Sequence, residues 1–383
     1  MSDMVKDLLK NKKLLIGIVA AVVVIGLVGA FMLMQTSDSE TAPEAIVEAP
    51  EVIVEAPEVT EEKPEEVMEE TPMELIDVRL GLFKGLGFAP SFIAETQGLD
   101  TTNGLNVEHV FIGPRDVVTA VLAGEVDMIL TVWPTVFTLA ANTGEHLVVV
   151  GNHGFEGRID GRLYDSARIM VPIDSEINTI TDLKGKTIGV INPTGLNANG
   201  MRVVLLNAGV DLADVTFERV FYGAMGSALA SNSIDAAVVV SPFNLVILKE
   251  GLARNLVDAD GVTINPHMAI AEKVAVTAIF TTQAFFDEHP EAVKRMAAMN
   301  AEAIEWMNAN PEEAAAALAP EDVLDTPIDI IKEAFEKTHY YAAYPIVDSI
   351  KELLARLIEL GFIEDGKVDI DQILKGPGAF QPT

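Results

Sequence analysis

Two stretches of the chain share one pattern: Val126-Asp127-Met128-Ile129-Leu130 with Pro134 after it, and Ile234-Asp235-Ala236-Ala237-Val238 with Pro242 after it. In each stretch a helix-like segment ends at a turn, an aspartate opens an apolar run, and a proline follows the aspartate after six residues. A short apolar run between turn residues is typical of a buried strand. The repetition therefore predicts two lobes of similar construction, each with a sheet and helices packed on it.

The alternation of strand and helix continues on both sides of these stretches. Strand-like runs lie at 77–82, 105–111, 126–131, 147–150, 187–191 and 234–240, and helical runs include 116–123, 196–207 and 242–250. This alternation indicates an α/β fold with parallel sheets, whose ligand sites lie at the carboxyl ends of the strands. After residue 282 the pattern is nearly all helical. We expect lobe one to comprise residues 76–170 and 275–383, and lobe two to comprise residues 171–274.

The first 75 residues have a different composition. Residues 14–34 form an uncharged run of 21 residues, and a helix of that length crosses about 30 Å of hydrocarbon. Lys12 and Lys13 precede the run and Asp38 follows it, so we expect residues 1–13 in the cytoplasm and the globular part outside the cell membrane, with a single pass. A cleaved signal peptide is the alternative, but its apolar region would be shorter and would end at small residues. Residues 35–75 are rich in glutamate and proline, which predicts an extended acidic tether.

Composition excludes several classes of function. The chain has 58 acidic and 26 basic residues and a net charge of −32, so it repels a phosphate backbone and we expect no nucleic-acid partner. It has no cysteine, which excludes disulfides, zinc–thiolate sites, iron–sulfur clusters and thiol nucleophiles. The histidines lack metal-ligand spacing, and no nucleophile elbow or phosphate-binding loop is present. We therefore expect neither catalysis nor a cofactor.

The candidate ligand-binding residues lie in loops that follow the predicted strands. Aromatic rings there offer flat apolar walls, and hydroxyl and amide groups offer hydrogen bonds. The candidates are Lys84, Phe88, Arg115, Thr131, Trp133, His153, Thr194, Gly195, Asn197, Tyr222, Ser241 and Asn244. Gly195 opens a helix whose free N–H groups favour an anion, and it lets a ligand approach the backbone closely. We expect the ligand to lie between Trp133 with Thr131 on one lobe and residues 194–197 on the other.

Several motifs together resemble a known family. They are Val78-Arg79-Leu80-Gly81-Leu82, residues 89–99 (APSFIAETQGL), Gly104-Leu105-Asn106-Val107-Glu108, Ala123-Gly124-Glu125-Val126-Asp127, residues 181–190 (TDLKGKTIGV) and Ile234-Asp235-Ala236. In order and spacing, from residue 76 to about residue 320, they resemble the periplasmic solute-binding proteins of the nitrate, sulfonate and taurine class, which share their fold with thiamine-precursor-binding relatives. The resemblance implies a two-lobed type II periplasmic-binding-protein fold. It also implies a small-molecule ligand in the cleft and delivery of that ligand to the permease of an ABC transporter.

The chain departs from that family in two places. It lacks a lipid-anchoring cysteine, which the apolar N-terminal run would replace, and Pro193-Thr194-Gly195 stands where anion-binding members often have a serine-rich turn. Two ligand classes therefore stay open: a small organic anion of the sulfonate type, and a planar heterocycle such as a pyrimidine or flavin ring. Two other functions are weighed beside binding. A pyrimidine-synthase-like enzyme on the same fold would use a cysteine-rich motif that is missing here, and a membrane-tethered sensor would need a cytoplasmic signalling module, whereas about a dozen residues precede the predicted anchor.

Overall fold

The computed structural model describes residues 74–337, 340–343 and 347–377. The predicted cytoplasmic N-terminus, the membrane anchor at 14–34 and nearly all of the acidic tether at 35–75 lie outside these residues. Among the described residues, no helix is both long enough and apolar enough to span a membrane.

The strands form two sheets. In chain order they are β1 (Ile76–Leu82), β2 (Leu105–Phe111), β3 (Met128–Val132), β4 (Val148–Ile159), β5 (Arg162–Tyr164), β6 (Ala167–Pro172), β7 (Thr187–Val190), β8 (Thr216–Arg219), β9 (Ala236–Val240), β10 (Ala253–Asn255), β11 (Lys273–Thr281) and β12 (Tyr340–Tyr341). A seven-stranded sheet has the order β12-β4-β11-β3-β1-β2, with β5 beside β4, and a five-stranded sheet has the order β10-β6-β9-β7-β8. We call the part built on the larger sheet lobe one and the part built on the smaller sheet lobe two.

The helices lie between the strands and, after β11, follow one another almost without interruption. In chain order they are α1 (Ala89–Gln97), α2 (Leu99–Thr102), α3 (Val117–Leu122), α4 (Trp133–Thr143), α5 (Leu196–Asn207), α6 (Tyr222–Ala230), α7 (Phe243–Lys249), α8 (Gln283–Glu288), α9 (Pro290–Ala309), α10 (Pro311–Leu318), α11 (Ile328–Lys337), α12 (Val347–Glu359) and α13 (Ile370–Ile373). Short 3₁₀ turns lie at Leu86–Phe88, Ile180–Leu183 and Leu212–Asp214. The mixed α/β class and the helical character of the C-terminal part are those that the sequence predicts.

Both sheets are mixed, which corrects the expectation of parallel sheets. β1 pairs in parallel with β2 and β3, and β7 pairs in parallel with β8 and β9. In lobe one β11 lies antiparallel between β3 and β4, and in lobe two β6 lies antiparallel between β9 and β10. β6 and β11 are the strands through which the chain enters one lobe from the other. Neither follows a crossover helix within its own sheet, and so neither needs to run parallel to its neighbours.

The two repeated aspartates have the same structural role. The Asp127 carboxylate accepts a hydrogen bond from the Arg79 backbone N–H at 2.8 Å, and the Asp235 carboxylate accepts one from the Thr187 backbone N–H at 2.9 Å. In lobe one the Asp127 hydrogen bond therefore joins the start of β3 to β1, and in lobe two the Asp235 hydrogen bond joins the start of β9 to β7. This correspondence confirms the internal repeat that the sequence predicts.

The core of lobe one occupies both faces of its sheet. On one face Met296 and Met299 of α9 are buried against β1, β3 and α1, and on the other face Leu353 and Leu357 of α12 are buried beside α4 and β11. The exact boundaries of the lobes, at residues 170/171 and 274/275, stay a prediction. The arrangement places the carboxyl ends of β1 and β3 opposite those of β7 and β9, where the site lies.

Candidate functional site

A cavity lies between the two lobes, at the carboxyl ends of the parallel strands. Its empty space measures about 760 Å³, which includes the part open to solvent. Lobe one contributes Phe83, Gly85, Leu86, Gly87, Phe88, Pro114, Thr131, Val132, Thr135, Val276 and Thr277 to its lining. Lobe two and the segments that join the lobes contribute Ser166, Ile191, Asn192, Gly195, Leu196, Asn197, Tyr222, Val240, Ser241, Phe243 and His267.

Each lobe lines the cavity with a pair of aromatic rings. Phe83 and Phe88 of lobe one meet edge to face, with ring centroids 4.6 Å apart and an interplanar angle of 80°. Tyr222 and Phe243 of lobe two are stacked, with centroids 5.1 Å apart and an angle of 19°. Both pairs lie just beyond strand ends, because the strands carry the apolar core and the following residues project from it. Such rings form apolar walls suited to a flat ligand.

Several hydroxyl groups also face the cavity. Thr277 donates to the Gly87 carbonyl at 2.9 Å, and Ser241 donates to the Asn244 side-chain oxygen at 3.0 Å. The Tyr222 hydroxyl accepts from the Asn197 amide at 3.1 Å, and no hydrogen bond from its own proton is recorded among the described residues. Burial raises the pKa of Tyr222, so the phenol stays neutral and can donate to a ligand.

Among the described residues no lysine or arginine lines the cavity. Lys84 lies in a neighbouring, more open pocket, where its ammonium group donates to the Glu321 carbonyl at 3.0 Å and lies 5.8 Å from the centre of the Phe111 ring. Arg115 is exposed and does not line either pocket. The cavity is therefore apolar and hydroxyl-lined, without a free cationic side chain.

A chain of hydrogen bonds runs from lobe one to the floor of the cavity. Glu156 on β4 contacts His267 Nδ1 at 2.9 Å, and His267 Nε2 contacts the Asn197 side-chain oxygen at 3.0 Å. Burial alone would raise the pKa of Glu156. The charge and hydrogen bond of His267, together with hydrogen bonds from Asn265 and Ser166, instead lower it to about 2. Glu156 is therefore an ionised carboxylate in the interior.

The structure brings half of the twelve predicted site residues to the cavity. Those that line it are Phe88, Thr131, Gly195, Asn197, Tyr222 and Ser241. Asn244 lies directly behind Ser241, with its amide donating to the Ser166 carbonyl at 2.8 Å. Thr194 is exposed at the rim, where its hydroxyl donates to Asn192. Lys84 and Arg115 lie outside, as described above.

Trp133 and His153 lie in the core of lobe one, which corrects their expected placement. Trp133 is fully buried and packs edge to face on Phe280, with ring centroids 4.9 Å apart. It begins α4, so its neighbours Val132 and Thr135 face the cavity while Trp133 faces the sheet. His153 is also fully buried, and burial lowers its pKa to about 4, so it carries no charge at neutral pH.

Several residues of the site were not among the twelve candidates, and four of these bear on its chemistry: Phe83, Phe243, Glu156 and His267. Phe83 and Phe243 belong to the loops that the sequence singled out, and Tyr222 and Phe88 were chosen beside them. The pairing of Glu156 with His267 was harder to predict from the sequence, because 111 residues separate them. The sequence does place a glutamate within residues 148–159, a run otherwise dominated by apolar residues and glycine. Because a buried charge normally has a partner, this glutamate was a sign of a buried polar contact.

The fold and the interlobe cavity define the class of periplasmic binding proteins. A family model described as NMT1/THI5 like matches residues 86–314, and the chain belongs to that family. The resemblance to solute-binding proteins of the nitrate and sulfonate class is thereby confirmed.

Three known proteins illustrate the relationship. A protein of Brucella abortus (strain 2308), described as a candidate binding protein, is 30% identical over 244 residues, which are 62% of this chain and 69% of that protein. The riboflavin-binding protein RibY of Chloroflexus aurantiacus is 21% identical over 250 residues, which are 63% of this chain and 65% of that protein. The solved structure of the alkanesulfonate-binding protein SsuA from Xanthomonas axonopodis pv. citri, bound to MOPS, has a TM-score of 0.61 and 18% identity over 80% of this chain and 99% of that one. At that identity the structural match establishes the fold alone.

Proposed function

We propose that this protein captures a neutral planar heterocycle, of the pyrimidine or flavin type, between its lobes and delivers it to the permease of an ABC transporter. The observation that carries the proposal is the cavity itself, which has aromatic pairs on both lobes and no lysine or arginine in its lining among the described residues. The name of the riboflavin-binding relative supports the same ligand class.

The charge of the cavity favours a heterocycle over a sulfonate. A buried anion needs a positive partner or several donors, because its desolvation costs several kcal/mol otherwise. The basic side chain that reaches the floor is His267, and its ring already contacts the Glu156 carboxylate. Hydroxyl groups such as those of Tyr222 and Thr131 suit the carbonyl oxygens and ring nitrogens of a heterocycle.

The cellular setting is part of the proposal. The protein would stand on the extracytoplasmic side, held by residues 14–34 in the membrane and spaced from it by the acidic tether. The support is the uncharged run with lysines before it and acidic residues after it. A tethered binding protein would meet its permease at a high effective concentration.

A ligand screen tests the proposal. The full-length protein, purified in detergent, would be heated with riboflavin, a pyrimidine, an alkanesulfonate and nitrate in separate samples. A ligand present at 100 times its Kd stabilises the folded state by about 2.7 kcal/mol, which raises the Tm by several degrees. We expect a rise with a heterocycle and none with the two anions.

A matched pair of variants locates the binding. Phe243→Ala removes a ring of the lobe-two wall and should reduce the affinity for the active heterocycle by about 10-fold or more. Phe286→Ala, which removes a partly buried ring outside the cavity, should leave the affinity unchanged. Stabilisation by the sulfonate or nitrate alone would contradict the proposed ligand class.

A further inference from the structure

Glu156, His267 and Asn197 form a buried link between the two lobes. Glu156 belongs to β4 of lobe one, His267 to the segment at 256–272 that returns the chain to lobe one, and Asn197 to the first turn of α5 in lobe two. Their exposed fractions are 2%, 1% and 5%, respectively. Successive side chains are joined at 2.9 and 3.0 Å. Any proton in this link is therefore shielded from solvent, and its position follows from the partners.

The orientation of the Asn197 amide is fixed by the backbone. Its nitrogen contacts the Val238 carbonyl at 3.2 Å and the Tyr222 hydroxyl at 3.1 Å. A backbone carbonyl can only accept a hydrogen bond, so the NH₂ group must be on that side. The Asn197 side-chain oxygen must then face His267 Nε2, and that ring nitrogen must carry a proton.

The orientation of the Asn265 amide determines the hydrogen bonds at the Glu156 end of the link. Its oxygen accepts from the backbone N–H groups of His267 and Met268, at 2.8 and 3.3 Å. Its NH₂ group therefore donates to Glu156 Oε2 at 2.8 Å. Ser166 donates to the other carboxylate oxygen, Oε1. Both oxygens thus accept from other groups, as an ionised carboxylate does, and the proton between Glu156 and His267 belongs to Nδ1.

We propose that His267 is an imidazolium at neutral pH, and that it acts with Glu156 as a positioning pair that holds Asn197 and Tyr222 at the floor of the cavity. Both ring nitrogens face acceptors, and a neutral imidazole has only one N–H to give. Loss of the proton would leave Nε2 and the Asn197 oxygen facing each other as two acceptors. Ligand affinity would then fall in alkaline solution.

The surrounding charges agree with this assignment. Asp165 accepts from Asn265 and pairs with Arg168, and both side chains are largely buried beside Glu156. With His267 charged, the four groups Glu156, Asp165, Arg168 and His267 are neutral as a set. With His267 neutral, the set would hold an uncompensated negative charge in the interior, which is costly.

The protonation of His267 can be measured without a ligand. Full-length protein labelled with ¹⁵N-histidine and reconstituted in lipid would be studied at neutral pH by solid-state NMR, with His267 assigned through its backbone link to Met268. We expect both ring nitrogens of His267 to have the shift of a protonated site. One protonated and one bare nitrogen would overturn the inference, whatever the ligand proves to be.

The positioning role is tested by the pH profile of riboflavin binding. This second experiment rests on the proposed function. For the unaltered protein we expect affinity to fall by about tenfold between neutral and alkaline pH, the equivalent of one lost hydrogen bond. His267→Gln should bind more weakly at neutral pH and show no such fall. The double variant Glu156→Gln, His267→Gln removes both charges and should recover part of the affinity.

A second histidine–glutamate pair provides the control. His109 Nδ1 lies 2.9 Å from Glu95 in lobe one, and neither residue lines the cavity, so His109→Gln should leave the pH profile unchanged. A His267→Gln protein with the normal profile would refute the positioning role. If riboflavin does not bind at all, the proposed ligand class fails while the NMR result still decides the state of His267.

Discussion

Tyr222 is the cavity residue whose hydroxyl group can be tested most directly. Tyr222→Phe keeps the stacked ring and removes the hydroxyl group, which can donate to a ligand and which accepts from the Asn197 amide. We expect ligand affinity to fall by about 1–2 kcal/mol, the range for one lost hydrogen bond, with little change in fold stability. Calorimetric titration measures the loss. Tyr164→Phe, on the β5 strand outside the cavity, should bind as the parent does.

Glu156 makes fold stability depend on pH in the acid range. Because the folded-state pKa is lowered to about 2, the carboxylate stabilises the fold above its usual pKa of about 4.3, and this contribution is lost as the pH falls toward 2. Urea unfolding of the parent and of Glu156→Gln, compared from pH 6 downward, measures it. The two stabilities should converge as the solution is acidified, and a constant gap would contradict the assignment.

At the scale of elements, Gly200 allows α5 and the return segment at 256–272 to meet. A Cβ atom on Gly200 would lie 2.3 Å from the Pro266 carbonyl oxygen and 3.1 Å from the His267 backbone nitrogen. Alanine normally stabilises a helix by up to about 1 kcal/mol over glycine. Here Gly200→Ala should destabilise the fold by about 1–3 kcal/mol, because the segment must move away. The same movement separates His267 from Asn197, so ligand affinity should fall as well.

Gly223 provides the matched control for this prediction. It lies near the start of α6 with no atom within 4 Å of the position of an added Cβ. Gly223→Ala should therefore leave stability unchanged or raise it by up to about 1 kcal/mol. Chemical denaturation of both variants measures the difference. Equal effects of the two substitutions would show that α5 and the return segment adapt to an added methyl group.

At the scale of the whole molecule, the retention of residues 14–34 can be tested directly. We expect the mature protein to keep this segment and to stay with the membrane fraction, since the run is too long for a typical signal peptide and lacks small residues at its end. Intact-mass and N-terminal analysis of membrane-extracted protein measures the start of the chain. A mature chain that begins after residue 30 would rule out the anchor.

Much of the architecture could be predicted from local sequence patterns. The apolar runs predicted β1, β2, β3, β7 and β9 to within a few residues, because a buried strand needs such a run wherever it lies. The strands that cross between the lobes, β6 and β11, were missed, and β4 was expected to end at residue 150 and continues to Ile159. The part of β4 beyond residue 150 includes glycine, histidine and charged side chains, which interrupt the apolar run. β6 and β11 are largely apolar, so their composition would have permitted a strand prediction.

The sequence by itself determined the class of fold, the internal repeat and the family, because strand and helix periodicity, turn residues and motif spacing are local properties. The tertiary structure alone decided which loop residues face the cavity. Trp133 and Val132 are neighbours in the chain, yet one packs in the core and the other lines the site. It also decided the pairing of Glu156 with His267 across 111 residues. Such contacts depend on how the two lobes come together, and no local pattern records that geometry.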